Sequence, residues 1–389
     1  MTAAAEDPTV RALLAAADTV AADAAGLVGP LVAVSSPSGD AAAFERCVEL
    51  VAAALPEDAE VERIPCSTTG SAPDLLVRLR GTGRARIVLL GHLDTVVPHD
   101  RHRPVEPDGD RWTGSGTFDM KGGDALAIGV LRALASVPAA RERIAEVALL
   151  LVADEEWRTE EFAHGPRFRD WDACLCFEGG ERTAAGDEAV VVRRKAAAAI
   201  TVRAAGRSAH AGSRPDDGRN ALLALARVAL RAADAHDPAG PELLSVVPTM
   251  VTSGTALNVV PDDGELVIDV RAARIEALEG FLASLPDEVD GVAMDARFSR
   301  VWPGMDHREA AAPVLERAGA LLGRPVVASS RGGASDASHL ASWTRVAVDG
   351  LGPLGGGAHA PDEHLDAGTL VARAAVALAV LAGVLDDAT

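Results

Sequence analysis

The chain has 389 residues, of which 48% are hydrophobic and 24% are charged, a composition typical of globular proteins. At about 150 residues per domain this length predicts two or three domains, and it excludes both a disordered chain and a small disulfide-stapled fold. Asp and Glu outnumber Lys and Arg by 57 to 37, and the resulting net charge of −20 argues against a nucleic-acid partner, since two polyanions repel each other.

The cysteines and the N-terminal segment predict a cytoplasmic protein with no membrane partner. Cys174 and Cys176 lie in one apolar stretch without the second pair of a zinc ribbon, so we interpret the four cysteines of the chain as reduced thiols. Glu6, Asp7 and Arg11 interrupt the N-terminal apolar residues, and no basic region precedes them, unlike in a secretory signal. No apolar stretch reaches the about 18 uncharged residues of a membrane span.

The first half of the chain alternates helical and strand-like patterns. Apolar residues at helical spacing and many alanines predict helices over 8–26, 40–55 and 120–136. Short apolar runs predict buried strands over 86–91, 146–153 and 173–177. Continuously apolar strands between helices are typical of an α/β domain whose sheet is covered on both faces.

The pattern changes near residue 190 and changes back near residue 305. In between, the predicted elements are strands 197–203 and 264–271 and helices 218–235 and 274–284. The last part has predicted helices 309–322 and 366–386 and strands 325–328 and 345–349. The simplest arrangement is a large α/β domain of residues 1–195 and 305–389, interrupted by an inserted α+β domain of residues 196–304.

Side chains that commonly bind metals follow the three strands of the first half. His92 and Asp94 come after the first strand, Asp154–Glu156 after the second and Glu178 after the third. The carboxyl ends of strands are where α/β sheets bind ligands. Imidazole and carboxylate groups bind zinc, and a carboxylate often orients the imidazole. Taken singly, each group also fits an ordinary role, as a hydrogen-bonded loop histidine or a solvated acidic turn.

A glycine-rich segment, residues 114–123, places Asp119 before a predicted helix. Taken alone, Asp119 fits the N-cap of that helix. The Gly-x-Gly of this segment also raises the hypothesis of a nucleotide-binding oxidoreductase. That hypothesis has little support, because no strand directly precedes the segment and the full Gly-x-Gly-x-x-Gly pattern is absent.

Together, these motifs resemble the M20 family of metallopeptidases. The resemblance rests on His-x-Asp at 92–94, Gly-x-Gly-x-x-Asp-Met-Lys-Gly-Gly at 114–123, Asp-Glu-Glu at 154–156, Glu178, and a glycine-rich segment ending at His359. The family includes glutamate carboxypeptidases, aminoacylases, acetylornithine deacetylases and succinyl-diaminopimelate desuccinylases. The resemblance implies a zinc-exopeptidase-like α/β catalytic domain with an inserted α+β lid and dimerisation domain.

The resemblance also implies a pair of zinc ions, for which cobalt or manganese are possible substitutes. One ion would be held by His92, Asp119 and Glu178, and the other by Asp119, Glu156 and His359. Asp94 would orient His92, and Glu155 would be the general base. This set suits amide hydrolysis, since two metals lower the pKa of a shared water and polarise the scissile carbonyl.

The predicted insert carries further family elements. Residues 206–212 resemble a Gly-Lys-x-x-His-x-Gly element, which implies that His210 stabilises the tetrahedral oxyanion, often in the partner subunit's site; the alternative is an ordinary surface loop. Asn258 and Arg271 resemble substrate-side residues, and Arg331, in the glycine-rich element before the last ligand, is a second candidate for binding a carboxylate. Arg271 has alternative partners in Asp269 and Asp262.

One departure from the family pattern lies near the predicted site. Residues 157–165 replace a small Gly-Ser segment, and we expect His164 there to be a solvated loop residue, with an extra polar contact at the site as the alternative. In the glycine-rich element that does match the family, Ser335 and Asp336 are expected to cap a helix and shape the pocket.

The predicted activity is that of a cytoplasmic, homodimeric di-zinc amidohydrolase acting on a small carboxylate-bearing substrate, such as an N-acyl amino acid or a short peptide. Family members that act as dipeptidases or tripeptidases tend to have Asp where this chain has Glu178, which favours a glutamate-carboxypeptidase-like enzyme. An N-acyl-amino-acid deacylase, like an aminoacylase or acetylornithine deacetylase, is the alternative. A catalytically silent metal- or carboxylate-binding protein is the alternative from another functional class.

Overall fold

The computed structural model describes residues 7–387 and has the predicted α/β architecture. It divides into two compact units. The first unit runs to Arg193 and continues over Met305–Ser330 and from Ser335 onward, and the second comprises Arg194–Gly304 and Arg331–Ala334. The short segment 331–334, assigned to the large domain in the sequence prediction, therefore groups with the second unit.

The described residues form ten α-helices and nineteen strands. The helices are α1 Pro8–Ala15, α2 Ala17–Ala33, α3 Ala41–Ala54, α4 Gly122–Ser136, α5 Pro138–Arg141, α6 Ala221–Asp234, α7 Ile275–Ser284, α8 Arg308–Leu322, α9 Ala337–Ala341 and α10 Leu370–Asp387. The strands are β1 Glu60–Ile64, β2 Asp74–Arg80, β3 Ala85–His92, β4 Glu106–Asp108, β5 Arg111–Thr113, β6 Ile144–Val152, β7 Trp171–Cys176, β8 Glu181–Arg182, β9 Glu188–Arg194, β10 Ala196–Ala205, β11 Ser245–Ser253, β12 Asp263–Ala272, β13 Glu288–Val289, β14 Val292–Trp302, β15 Met305–Asp306, β16 Val326–Arg331, β17 Thr344–Val348, β18 Gly355–Gly356 and β19 His364–Asp366.

A six-stranded sheet in the order β1-β2-β6-β3-β7-β17 is the centre of the first unit. The strands β6, β3, β7 and β17 are parallel, and β1 and β2 are antiparallel to their neighbours. Alternate residues of β3 enter two different cores: Ile87 and Leu89 pack with the helices α2, α4 and α10, and Val88 and Leu90 pack with α9. Both faces are covered, which explains why the strand sequences are continuously apolar.

The second unit is built on a five-stranded antiparallel sheet in the order β11-β12-β10-β14-β13. Helices α6 and α7 pack on one face of this sheet and form a separate core with it. Only β10 and β12 were predicted from the sequence. The long strands β11 and β14 were missed because exposed and polar residues interrupt their apolar runs, as expected for a sheet with one open face.

Near the N-terminus the structure differs from the predicted helices. The first predicted helix is two helices that meet at Ala16, and the second of them continues to Ala33. Strands β1 and β2 lie in a region for which only helices were predicted. The side chains of β1 are mostly exposed, as suits an edge strand, so its sequence lacks the apolar run of a central strand.

Two helical stretches, Pro8–Ala33 and Ala367–Asp387, are long and apolar enough to cross a membrane by length and composition alone. The second is mostly buried within the first unit, and residues of both stretches belong to its main core. A core helix passes the same test, so these stretches are weak evidence for a membrane span.

Candidate metal centre and active site

The candidate ligands lie at one edge of the large sheet, where its parallel strands end. His92 is the last residue of β3, Glu156 follows the end of β6, and Glu178 follows the end of β7. His359 lies on the loop between β18 and β19, downstream of β17. Because β3, β6, β7 and β17 are parallel, their carboxyl ends meet at the same edge, which is where α/β sheets bind ligands.

Asp119 reaches this edge from a turn rather than from a helix. Residues Thr117–Lys121 form a π-type turn with non-helical backbone at Asp119, and α4 begins only at Gly122. The alternative of Asp119 as an N-cap is therefore wrong. Gly116 permits the turn with a φ of +78°. Gly123, in the first turn of α4, permits close packing of the helix, since a Cβ there would lie 1.8 Å from the Phe177 carbonyl oxygen.

The two carboxylate oxygens of Asp119 face two groups of ligands. Oδ1 lies 3.1 Å from His92 Nε2, which is itself 3.9 Å from Glu178 Oε1. Oδ2 lies 3.2 Å from His359 Nε2, which is also 3.2 Å from Glu156 Oε2. Within each group the ligand atoms are all within 4.8 Å of one another. Asp119 is therefore shared between two adjacent groups of three candidate ligands.

The donor types and spacings fit zinc. Each group offers one imidazole nitrogen and two carboxylate oxygens, leaving a fourth tetrahedral position open. Two ligand atoms that are each about 2.1 Å from a zinc ion at a tetrahedral angle stand about 3.4 Å apart. The observed separations of 3.1 to 3.9 Å bracket that value. The residues present could thus hold a metal in each group with little rearrangement.

The carboxylates favour positive charge at these positions. Hydrogen bonds that His359 donates to Asp119 and Glu156 raise the pKa of His359 to about 11. Burial disfavours the ionised form of Asp119, but hydrogen bonds from His359 and His92 outweigh it and lower the pKa of that carboxyl. A metal cation between the same groups would be stabilised by the same attraction.

Asp94 fixes the orientation of His92 and supports Glu156. The backbone oxygen of Asp94 lies 3.0 Å from His92 Nδ1, and its Oδ1 lies 3.4 Å from the same nitrogen. Holding the proton on Nδ1 leaves Nε2 for a metal. The other carboxylate oxygen accepts hydrogen bonds from Ser38 Oγ at 2.6 Å and from the Glu156 backbone N–H at 3.2 Å. Ser38, which was not singled out from the sequence, thereby holds the residue that orients a ligand.

Glu155 lies between Asp154 and Glu156 and is 8% exposed. Burial raises the pKa of this carboxyl well above its usual range. A carboxylate with a raised pKa is a stronger base, which suits proton transfer near neutral pH.

Glu363 joins the two loops that carry Asp119 and His359, and it was also missed from the sequence. Its buried carboxylate accepts three backbone N–H bonds from the other loop, from Gly116 at 2.8 Å, Phe118 at 3.0 Å and Asp119 at 3.0 Å. It follows His359 by four residues in the sequence, a spacing that could have drawn attention to it.

Replacing Glu363 by Gln should weaken zinc binding by about 10- to 100-fold, the usual effect of losing a residue that supports metal ligands. One carboxylate oxygen becomes an NH₂ group, which cannot accept an N–H bond, so the Asp119 loop loses part of its support. Competition with a chromogenic chelator measures the affinity. Glu188→Gln is a matched control, since Glu188 is another buried carboxylate of this unit, paired with Arg182 and Arg373. Equal zinc affinity in wild type and Glu363→Gln would refute the prediction.

The expectation of a solvated His164 is wrong. Its side chain is buried, and its Nε2 lies 2.6 Å from the buried carboxylate of Asp74. Asp74, Asp154 and Cys66 form a further group of metal-type side chains. The Asp154 oxygens already accept bonds from Thr68 and Arg158, and Asp74 accepts from the Ala153 N–H. We interpret this group as a hydrogen-bonded core.

The helix-capping expectation for Ser335 and Asp336 holds only for the serine. Ser335 Oγ accepts the backbone N–H of Ala337 at 3.2 Å, in the first turn of α9. The Asp336 carboxylate makes no capping bond and instead binds Arg158.

In the second unit, His210 is held by its own loop. Its Nδ1 accepts the backbone N–H groups of Gly212 and Ser213, both at 3.1 Å. A neutral imidazole bound in this way carries its proton on Nε2, which is then a hydrogen-bond donor.

The three candidate substrate-binding residues also lie in the second unit. Asn258 is exposed, and its backbone oxygen accepts the Ala211 N–H at 2.9 Å, so it is attached to the loop of His210. Arg271 makes two hydrogen bonds to Asp269, one of its two alternative partners, and one to the Gly332 carbonyl oxygen. Arg331 is the last residue of β16 and belongs to the short segment 331–334.

Sequence comparison identifies the family of this chain. The model of the family described as Peptidase family M20/M25/M40 matches residues 88–383. The chain belongs to this family. The resemblance found in the motifs is thereby confirmed, and this M20-family chain is a metal-dependent hydrolase of amide or peptide bonds.

Individual relatives of this M20-family chain include a carboxypeptidase and a desuccinylase. It is 27% identical over 319 residues to carboxypeptidase G2 from Pseudomonas sp. (strain RS-16), covering 77% of this chain and 74% of the relative. It is 28% identical over 337 residues to succinyl-diaminopimelate desuccinylase from Xanthomonas oryzae pv. oryzae (strain MAFF 311018), covering 78% and 85%. Aminopeptidase PepT from Bacillus cereus ATCC 10987 shares the fold, with a TM-score of 0.72 at 21% identity over 94% of this chain and 98% of that chain.

Proposed function

We propose that this chain is a di-zinc amidohydrolase that releases an amino acid, with glutamate as first choice, from a short peptide or N-acyl amino acid. One observation carries the proposal: two groups of zinc-type ligands share Asp119, and the buried Glu155 is the chain neighbour of one ligand. His92, Asp119 and Glu178 would hold one ion, and Asp119, Glu156 and His359 the other. Cobalt and manganese suit the same donors.

The proposed chemistry is the addition of water to an amide. When bound, the two ions supply Lewis acidity to the scissile carbonyl and lower the pKa of the attacking water. Glu155 takes a proton from that water and passes it to the leaving nitrogen as the C–N bond breaks, giving a carboxylate and an amine. Asp94 keeps His92 in the tautomer that leaves Nε2 for the metal.

The preference for a carboxylate-bearing substrate rests on Glu178 and on two arginines. Glu at position 178 is typical of the carboxypeptidases and acylases of the family, as noted above, and a relative named as a carboxypeptidase supports that choice. Arg271 and Arg331 are the candidates to bind the substrate carboxylate. Asn258 is the third proposed substrate-binding residue. Arg271 would have to exchange its bonds to Asp269 for bonds to the substrate.

The deciding experiment is mass-spectrometric detection of amines and amino acids released by the zinc-loaded protein. The panel contains C-terminal-Glu peptides, N-acyl amino acids, and the same compounds with the carboxylate converted to a carboxamide. Release from peptides with C-terminal Glu supports the carboxypeptidase, whereas release from N-acyl amino acids alone supports the deacylase. Equal cleavage of acids and carboxamides would contradict carboxylate recognition. Elemental analysis that gives one zinc ion per chain would contradict the two-ion site.

His210 is proposed to donate a hydrogen bond to the substrate oxygen as negative charge develops on it. The backbone bonds to its Nδ1 support this, because they favour the proton on Nε2. His210→Ala should lower kcat by about 10²- to 10³-fold with a smaller change in KM, since the bond strengthens in the transition state. Steady-state kinetics measure both constants, and His236→Ala, another histidine of the second unit, is the control. An unchanged kcat would mean that His210 is an ordinary surface-loop residue.

The proposed oligomer is a homodimer in which each chain supplies His210 to its partner. β11 is the outermost strand of its sheet among the described residues, and Met250 and Val251 on it are 64% and 60% exposed. Leu223 and Leu230 of the neighbouring α6 are 53% and 68% exposed. An apolar edge strand is a template for pairing with another chain, and a twofold dimer joins identical patches. These exposed residues support dimer formation through the second unit.

Mixing two inactive variants tests whether His210 acts across subunits. In a heterodimer of Glu155→Ala and His210→Ala chains, one site would combine an intact Glu155 with an intact His210 only if the histidine comes from the partner. Recovered turnover after subunit exchange would support the proposal. No recovery from a demonstrated heterodimer would contradict it, and a light-scattering mass of a single chain would contradict the dimer.

A further inference from the structure

Arg158 is a buried guanidinium that binds two buried carboxylates. Its Nε and Nη2 donate to Asp154 Oδ1 at 3.1 and 2.7 Å, and its Nη1 and Nη2 donate to the two oxygens of Asp336 at 2.5 and 2.7 Å. Arg158 and Asp336 are each 3% exposed, and Asp154 is fully buried. The Phe162 ring centroid lies 4.9 Å from the guanidinium carbon. The guanidinium is therefore held by two carboxylates and by one aromatic ring.

Asp154 opens the turn that carries Glu155 and Glu156. Its second carboxylate oxygen accepts the Thr68 backbone N–H at 2.9 Å and the Thr68 hydroxyl at 2.7 Å. Its backbone oxygen accepts the N–H groups of Trp157 at 3.3 Å and of Arg158 at 2.9 Å, which closes the turn. The direction in which Glu155 projects from the turn thus depends on the bonds made by Asp154.

Asp336 connects this turn to a rigid part of the first unit. It directly precedes α9, in which Ala337, Leu340 and Ala341 are buried against one face of the large sheet. A guanidinium that binds both Asp154 and Asp336 therefore ties the Asp154–Trp157 turn to a helix that is packed beneath the sheet.

We propose that Arg158 is a positioning residue, which braces this turn against α9 and so sets the position from which Glu155 acts on the attacking water. The inference rests on the proposed role of Glu155. It also explains a departure from the family pattern: residues 157–165, which stand in place of a small Gly-Ser segment, supply both the guanidinium and the aromatic ring that covers it.

A lysine at position 158 tests whether the positive charge alone is sufficient or whether the planar geometry of the guanidinium is needed. Arg158→Lys keeps the positive charge between the two carboxylates but lacks the planar fork that donates to both at once. The positioning role therefore predicts that Arg158→Lys lowers kcat by about 10- to 100-fold and leaves KM near the wild-type value. Hydrogen exchange of the Trp157 and Arg158 amides, followed by mass spectrometry without substrate, should be faster in the variant because the turn opens more often.

Arg143→Lys is the matched control. Arg143 also binds two carboxylates of the first unit, Asp7 at the start of α1 and Asp386 in α10, but neither precedes a candidate catalytic residue. This variant should keep wild-type kcat and wild-type exchange in the Asp154–Trp157 turn. A loss of kcat equal to that of Arg158→Lys would mean that the effect is general destabilisation and would overturn the inference.

Other outcomes are equally decisive. Wild-type kcat and exchange in Arg158→Lys would overturn the positioning role. If that variant does not fold, the charge-balanced pair Arg158→Met with Asp336→Asn replaces it, and this folded pair with wild-type kcat would overturn the inference too. Wild-type turnover by Glu155→Ala would instead refute the proposed role of Glu155 as the base. An inactive Glu155→Ala beside a fully active Arg158→Lys would refute the Arg158 inference alone.

Discussion

Turnover is expected to fall by about 10²- to 10⁴-fold when Glu155 is replaced by alanine, the range associated with loss of a general acid–base group. The side chain is not among the proposed zinc ligands, so the variant should still bind two ions. Glu155 lies on a turn whose backbone is held by the Asp154 carbonyl oxygen. An alanine at this largely buried position leaves those backbone hydrogen bonds intact. Steady-state kinetics and elemental analysis on the same preparation measure the two expectations together.

The matched control is Glu160→Gln, on the same segment of the chain. Glu160 is exposed and accepts hydrogen bonds from the backbone and hydroxyl of Thr69, without a place in the proposed chemistry. It should retain wild-type kcat. If Glu155→Ala kept wild-type turnover, Glu155 would not be the base. If it lost zinc along with turnover, the experiment would indicate a structural role for this carboxylate in the metal site.

The second large effect is expected for Asp119, the residue shared by both ligand groups. Asp119→Asn replaces one negatively charged oxygen by an NH₂ group, which cannot ligate a cation, so both ions should bind more weakly and activity should fall to background. His359→Ala should affect only the ion that shares Asp119 with Glu156. Zinc titration with isothermal calorimetry should therefore show two weakened sites in the first variant and one in the second.

Asp108→Asn is the control for this pair, since Asp108 is an exposed aspartate of β4 that belongs to neither ligand group. It should bind zinc like the wild type. If Asp119→Asn weakened only one of two sites, Asp119 would not be a bridging ligand. A single site in the wild type would contradict the two-ion centre itself.

Much of the candidate site could be predicted from the sequence because its residues follow apolar strands. The runs at β3, β6 and β7 are long enough to identify buried strands, and parallel strands place their carboxyl ends at one edge. The sequence therefore predicts that His92, Glu156 and Glu178 lie at a common edge. Asp119 and His359 were identified as metal ligands only through the resemblance to the M20 family, because neither residue follows a predicted strand directly.

The residues that were missed act through long-range contacts between charged or polar groups. Ser38 holds Asp94 across 56 positions, Glu363 holds the Asp119 loop across more than 240, and Arg158 reaches Asp336 across 178. Each of these side chains is also common on protein surfaces, so its type alone does not indicate a buried partner. His164 was wrongly expected in solvent for the same reason, since its partner Asp74 is 90 positions away.

The amino-acid sequence was sufficient to predict the four parallel strands of the large sheet, the order of the motifs and the family, but not the antiparallel strands β1 and β2. Those features depend on local apolar periodicity and on side-chain type, which can be read residue by residue. The folded chain was needed to show which oxygen of Asp119 faces which histidine, which turns hold the ligands, and how the open-faced strands of the second unit pair. These depend on contacts between segments distant in the chain, and such contacts leave no periodic pattern in the sequence.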